Sequence, residues 1–253
     1  MNAENRPVAL VTGASRGIGR SIAERLAARG MRVALHYRSN HQAAEGAIVG
    51  LSGGGHAAFA ADFNVASSPE SLVAAVMRTF GRIDVLVNNA GIYELLRAGE
   101  VDFAAWSAHW SRTIATNLVA PAHLTFLAAR EMQPRGGGRV INISSRGAFR
   151  GEPNAPAYGA AKAGLNSMGQ SLAQVFAAHN IYVYTIAPGW VDTEMASEHL
   201  HGARREEILR GIPLGRAAAA SEVAGIAAWL ALDAPASMTG CIIDANGASY
   251  LRT

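Results

Sequence analysis

One lysine occurs among twenty-two Lys and Arg side chains, and it stands four residues after a tyrosine, in Tyr158-Gly-Ala-Ala-Lys162. The other basic side chains of this count are all arginine. Where only a positive charge is wanted, this chain uses arginine. A lone lysine therefore marks a site that needs a compact ammonium, with three donors and a pKa that its surroundings can shift. Four residues make about one helical turn, so both side chains would share one face of a helix. An ammonium beside a phenol favours the phenolate and lowers the phenol pKa from its usual value of about 10. The expected chemistry is proton transfer, with the tyrosine as acid or base near neutral pH.

These residues need elements to hold them. Short apolar runs at 8–11, 32–36, 56–60, 83–87, 139–143, 181–186 and 241–244 read as strands buried on both faces. The stretches 17–29, 41–51, 68–80, 102–132, 157–179 and 221–232 read as helices. Ser68, followed by Pro69, has the character of an N-cap, and Asp102 and Ser221 are plausible caps for their helices. Seven strands interleaved with six helical stretches predict an α/β protein, a single domain over 1–253. Its fold would be a doubly wound (Rossmann) seven-stranded parallel sheet with helices on both faces. The segment 192–216 is long, charged and poor in strand signal, and is expected to be a loop or small helical pair forming a lid over a pocket.

The first strand runs directly into Thr12-Gly13-Ala14-Ser15-Arg16-Gly17-Ile18-Gly19. Its glycines allow a tight turn and close approach to a pyrophosphate, held against the positive end of the next helix. A fold of this kind that takes NAD places an acid about 20 residues further on, against the ribose. Here no Asp or Glu lies between Glu24 and Glu45, and the second strand ends in His36-Tyr37-Arg38-Ser39-Asn40. An acid would repel a 2′-phosphate, whereas Arg38 and Arg16 would attract it. NADP(H) is therefore the predicted cofactor.

Composition narrows the classes. Half of the 253 residues are hydrophobic and 16% are charged, enough for a core and too little charge for a disordered chain. A net charge of +3, spread over scattered arginines, does not make a nucleic-acid surface, and Arg135-Gly-Gly-Gly-Arg139 reads as a turn. No apolar stretch is long enough to span a bilayer, and Cys241, the only cysteine, admits no intrachain disulfide. A cytoplasmic protein without membrane or nucleic-acid partners is expected.

With these residues laid out, the chain resembles the short-chain dehydrogenase/reductase family over nearly its whole length, most closely the 3-oxoacyl-(acyl carrier protein) reductase-like members. The resemblance rests on the glycine loop, Asn88-Asn89-Ala90-Gly91 after strand four, and Asp62-Phe63 after strand three. It also rests on Asn117, Ser145, Tyr158 and Lys162, and on Pro188-Gly189-Trp190-Val191-Asp192-Thr193. It implies that Asn117, Ser145, Tyr158 and Lys162 are catalytic. Tyr158 would be the general acid in reduction, Ser145 a donor to the carbonyl oxygen, Lys162 a ligand of the nicotinamide ribose, and Asn117 the holder of a relay water. Of two adjacent serines, the family spacing of thirteen residues before the tyrosine selects Ser145. The implied cofactor-binding residues are Gly13, Ser15, Arg16, Gly17, Ile18, Gly19, Arg38, Ser39, Asp62, Phe63, Asn89, Ala90, Gly91, Tyr158, Lys162, Pro188, Gly189, Val191 and Thr193.

The expected reaction is reduction of a ketone or 3-oxo group, possibly carrier-linked, to a secondary alcohol by NADPH. The alternatives are an NAD(P)-dependent alcohol, sugar or steroid dehydrogenase running oxidatively, and a non-catalytic NADP-sensing regulator. Tyr93, Phe149 and Trp190, with the 146–154 loop and the lid, are expected to wall the substrate pocket. Arg146 and Arg150 either meet an anionic group or are solvated. His199-Leu-His201 lacks a third metal ligand, and no catalytic metal is expected. Ala148 stands where the family often has glycine. Relatives of this kind imply a homo-oligomer, favouring a homotetramer packed through 102–132 and 157–179. The small face Ala157, Ala161 and Gly164 suits either that contact or packing within the chain.

Overall fold

A computed structural model describes residues 5–200, 202 and 205–252. Seven parallel strands form one sheet: β1 (Val8–Val11), β2 (Arg32–Tyr37), β3 (Ala57–Ala60), β4 (Val85–Asn88), β5 (Gly138–Ile143), β6 (Ile181–Pro188) and β9 (Ile242–Ala245). Their order is β3-β2-β1-β4-β5-β6-β9, every pair parallel. The order reverses between β1 and β4, and the crevice beyond the carboxyl ends of strands at such a reversal is the ligand-binding position of open α/β sheets.

Side chains alternate across the sheet and build a core on each face. Ala9, Val11, Val33, Leu35, Val87 and Ile141 point to one side, where they meet Ile22 and Leu26 of α1 (Gly17–Ala28) and Ala227 and Leu230 of α10 (Ala220–Leu232). Val8, Leu10, Leu86, Val140 and Val183 point to the other, toward α3 (Ser68–Phe80), α5 (Ala120–Met132) and α7 (Pro156–Phe176). Strands buried on both faces explain why the sequence shows continuous apolar runs rather than alternation. The remaining long helices are α2 (His41–Val49) and α4 (Phe103–Ile114).

Several local expectations change. The stretch 102–132 is not one α-helix: α4 and α5 are joined by a π-helical turn, Ala115–Val119. Such turns cluster at functional sites, and this one carries Asn117. Ser68 is the first helical residue of α3 rather than its cap. Ser67 takes the cap position without a side-chain bond, because a turn from Val65 already leads into the helix. Asp102 does cap α4, accepting from Ala105 N at 2.8 Å. Ser221 does not cap α10. There the Glu222 carboxylate accepts from Ala219 N at 2.7 Å and also pairs with Arg216.

The segment after β6 contains β7 (Val191–Asp192), α8 (Ser197–Leu200) and α9 (Arg205–Arg210), and β7 pairs with β8 (Ala218–Ala219). Leu200 and Ile212 bury it against the body. His201 and the side chain of His199 lie outside the described residues. The small face of α7 packs within the chain: Ala157 and Ala161 are fully buried, and a Cβ on Gly164 would come 2.9 Å from Leu118.

Candidate active site

The proton-transfer residues meet where β5 and α7 approach each other. Ser144 and Ser145 follow β5 directly, and the structure separates their roles. Ser144 is buried, with its hydroxyl donating to Lys162 O on α7 at 3.3 Å. Ser145 lines the cleft, shares a side-chain hydrogen bond with Tyr158, and accepts from Gly147 N at 3.0 Å. Gly147 opens α6 (Gly147–Arg150). One turn beyond Tyr158, the Lys162 ammonium is buried, donates to Ile143 O at 2.8 Å, and stands 5.7 Å from the Tyr158 ring centroid.

Asn117, on the π turn, is fully buried and grips the chain after β4: its amide accepts from Ile92 N at 2.8 Å and donates to Ile92 O at 2.9 Å. A Cβ on Gly91 would come 3.0 Å from Asn117 Oδ1 and 3.6 Å from Lys162 Nζ. The two side chains thus flank one glycine, where a side chain would crowd Asn117.

The glycine loop lies along the same cleft and is braced from β4. Thr12 Oγ1 donates to Val87 O at 3.1 Å and accepts from Asn89 N and Ala90 N at 2.9 and 3.0 Å. Asn89 Nδ2 in turn donates to Thr12 O and Gly13 O. Gly13 has φ +62°, and a Cβ there would lie 2.9 Å from Ala90 Cα, so both backbone conformation and space require glycine. Arg16 occupies the N-cap of α1 without a side-chain cap bond, leaving the helix N-terminus open to an anion.

A family model described as enoyl-(acyl carrier protein) reductase matches residues 13–247. A 3-oxoacyl-[acyl-carrier-protein] reductase of Synechocystis is 38% identical over 98% of each chain. The Escherichia coli protein of that name, FabG, is 38% identical over 99% of this chain and all of its own. A Sinorhizobium meliloti crystal structure described as a short-chain alcohol dehydrogenase superposes with TM-score 0.87 at 35% identity, covering 96% of both chains. The chain is a short-chain dehydrogenase/reductase.

In this short-chain dehydrogenase/reductase one cleft gathers nearly all the residues singled out from sequence. Gly13, Ser15, Arg16, Gly17, Ile18, Arg38, Ser39, Asp62, Phe63, Asn89, Ala90 and Gly91 line it, as do Tyr93, Ser145, Tyr158, Lys162, Pro188, Gly189, Trp190, Val191 and Thr193. Gly19 sits just behind, where a Cβ would run into Asn89 Nδ2 and Gly13 O. Asn117 also stands behind the wall. Phe149 does not reach it: the ring stacks on Tyr250 at 6.3 Å and lies under Arg252, so it packs the C-terminal segment instead. Tyr93 meets Tyr158 edge-on, with ring centroids 5.0 Å apart.

The electrostatics correct one expectation. Burial pushes the Tyr158 phenol up to about 12; the Ser145 hydrogen bond opposes this, and Glu152 and Tyr93 add to it. Burial also brings the Lys162 ammonium down to about 8. The predicted lowering of the phenol pKa is not found, because desolvation by burial is the largest influence on Tyr158.

One residue of the site escaped the sequence reading. His36 is buried at the end of β2 and links three parts of the glycine-loop end of the cleft. It accepts from Gly13 N at Nδ1 (3.1 Å), lies 3.0 Å from Ala61 O at Nε2, and stacks on Phe63 at 4.4 Å. These partners require the neutral ring, and burial holds its pKa down at about 4. The signal in the sequence was a histidine within an apolar strand, which periodicity alone cannot tell from packing.

Proposed function

We propose that this enzyme is an NADP(H)-dependent carbonyl reductase that converts a ketone or 3-oxo group to a secondary alcohol, with Tyr158 as general acid. One observation carries the reading: the hydrogen-bonded Ser145 and Tyr158 hydroxyls face the same cleft as the glycine loop, with Lys162 buried behind them. The residues present fit a dinucleotide phosphate. Gly13 and Gly17 keep the loop low, the start of α1 is uncapped, and Arg16 and Arg38 are exposed on the cleft with no side-chain hydrogen bond among the described residues. Asp62 is partly engaged, accepting from Asn64 N and Nδ2, and retains a second oxygen on the cleft side for an adenine amine.

The bound nicotinamide supplies the hydride. The chain's own residues do the rest. Ser145 donates to the carbonyl oxygen as negative charge builds there, in the manner of an oxyanion hole. Tyr158 gives up its proton to that oxygen. A phenol held at about 12 is protonated at neutral pH, which is the form that reduction consumes. Lys162 holds an ammonium close enough to stabilise the phenolate left behind and to take part in its reprotonation. Asn117 fixes the Ile92 main chain beside Lys162 and keeps the Gly91 corner open to a relay water.

The relatives named as 3-oxoacyl-(acyl carrier protein) reductases support a 3-oxo substrate. Exposed Phe126 on α5 and Val175 on α7 support a homo-oligomer built through these helices, with a tetramer as our reading. No helix among the described residues is long and apolar enough to cross a membrane, and we place the enzyme in the cytoplasm. Loss of NADPH absorbance against a panel of oxo-esters, cyclic ketones and quinones tests the activity. Tyr158→Phe is expected to lower kcat by ~10²–10⁴ with NADPH binding largely kept. A variant that turns over normally, or a wild type inert toward every carbonyl, would overturn the reading.

A further inference from the structure

Arg146 follows Ser145 and lines the same cleft. It is only 8% exposed, yet among the described residues no hydrogen bond or ion pair engages its guanidinium. The backbone is anchored, with Arg146 N donating to Pro188 O at 2.9 Å. The guanidinium stands 6.0 Å from the Trp190 ring centroid. The charged and titratable groups facing it are Arg150, Glu152 and Tyr93. Glu152 pairs with Arg150 at 3.9 Å, and among the described residues no ion pair joins it to Arg146.

Arg32 makes the contrast. It is equally buried, but its guanidinium reaches the carbonyls of Arg6 and Phe80 and lies over the Phe80 ring. A buried cation without a counter-ion is costly, and the Arg150 charge nearby raises that cost. Burial and Arg150 accordingly disfavour the charged form of Arg146, and Glu152 and Tyr93 offset this only in part.

We propose that Arg146 receives a carboxylate of the substrate, so that this enzyme reduces a small oxo acid whose carboxylate lies a few bonds from the carbonyl addressed by Ser145 and Tyr158. The proposal rests on the carbonyl-reductase reading and narrows it. A guanidinium presents a planar fork of donors that matches a carboxylate bidentately. The phosphate of a long carrier arm lies far from the reacting carbonyl and would suit an exposed cation such as Arg150. A buried cation one residue from Ser145 calls for an anion close to the reaction.

The test uses 2-oxo-, 3-oxo- and 4-oxopentanoate, each against its methyl ester, with 3-oxopentanoyl-CoA as the arm-bearing form. At least one acid should exceed its ester in kcat/KM by about tenfold or more. Arg146→Gln should lower that acid-to-ester ratio by about 30-fold or more, and Arg146→Lys should restore part of it. Esters or the CoA thioester preferred by the wild type, or a ratio unchanged in Arg146→Gln, would overturn the proposal while leaving the reductase reading intact. Should no carbonyl consume NADPH, that reading falls instead, and calorimetry with pentanoate on NADP⁺-loaded protein still decides the role of Arg146. Binding weakened about tenfold or more in Arg146→Gln supports it, and equal or absent binding overturns it. Should Arg146→Gln fail to fold, the wild-type acid-to-ester ratio decides alone.

Discussion

The two ends of the cleft are built on opposite principles. At the Tyr158 end Lys162 and Asn117 are withdrawn from water and held by short bonds, Lys162 on Ile143 O and Asn117 on Ile92, while Ser145 hydrogen-bonds Tyr158. At the glycine-loop end Arg16, Arg38, Ser39 and Asp62 are exposed, and the precise contacts there are made by backbone and by Thr12 and Asn89. Burial gives Tyr158 and Lys162 pKa values far from their usual range, so each residue type matters. Exposure leaves the groups of the second end as charges in high dielectric, effective at a distance, weakened by salt and easily exchanged.

The largest expected effect lies at the buried end. Lys162→Arg keeps the charge but needs more room than the corner beside Gly91 and Asn117 offers. Its kcat should fall in the same ~10²–10⁴ range as Tyr158→Phe. A near-normal rate would mean that any cation suffices there, and the contrast between the ends would collapse.

His36 sharpens the comparison because it brings burial to the exposed end. Its folded pKa of about 4 lies below the ordinary 6.5, so the unfolded chain binds the extra proton first. The neutral ring's contribution is fully present above pH 6.5 and is lost as pH falls from 6.5 toward 4, by about 3 kcal/mol in total. Urea unfolding across that range measures it, and His36→Gln should remove that part of the slope.

A smaller effect belongs to Arg38. Arg38→Ala should raise the KM for NADPH by ~10–100-fold at low salt, as for a lost charge-assisted contact, and leave that for NADH nearly unchanged. The difference between wild type and variant should shrink as ionic strength rises. Equal losses for both cofactors would assign Arg38 a structural role.

Much of this was legible along the chain. Runs such as Val8–Val11 and Val85–Asn88 are apolar because both faces are covered, and that pattern is local. The glycine loop, the absence of an acid after β2, and the four-residue interval from Tyr158 to Lys162 are likewise properties of spacing. The rest depended on contacts between distant segments. The π turn at Ala115–Val119 carries an amide that serves Ile92, 25 residues earlier. Phe149 could have faced the cleft or the C-terminus, and Tyr250 and Arg252, about a hundred residues later, draw it to the latter.

Sequence by itself determined the strand and helix rhythm, the doubly wound class and the set of groups able to move a proton or bind a phosphate, because periodicity and residue type are carried by neighbours in the chain. Tertiary structure decided the state of those groups. It raised the Tyr158 phenol, lowered the Lys162 ammonium, neutralised His36 and left the Arg146 guanidinium buried with no hydrogen bond or ion pair among the described residues. Desolvation and hydrogen bonding come from whatever the fold packs around a side chain, and no interval along the sequence encodes them.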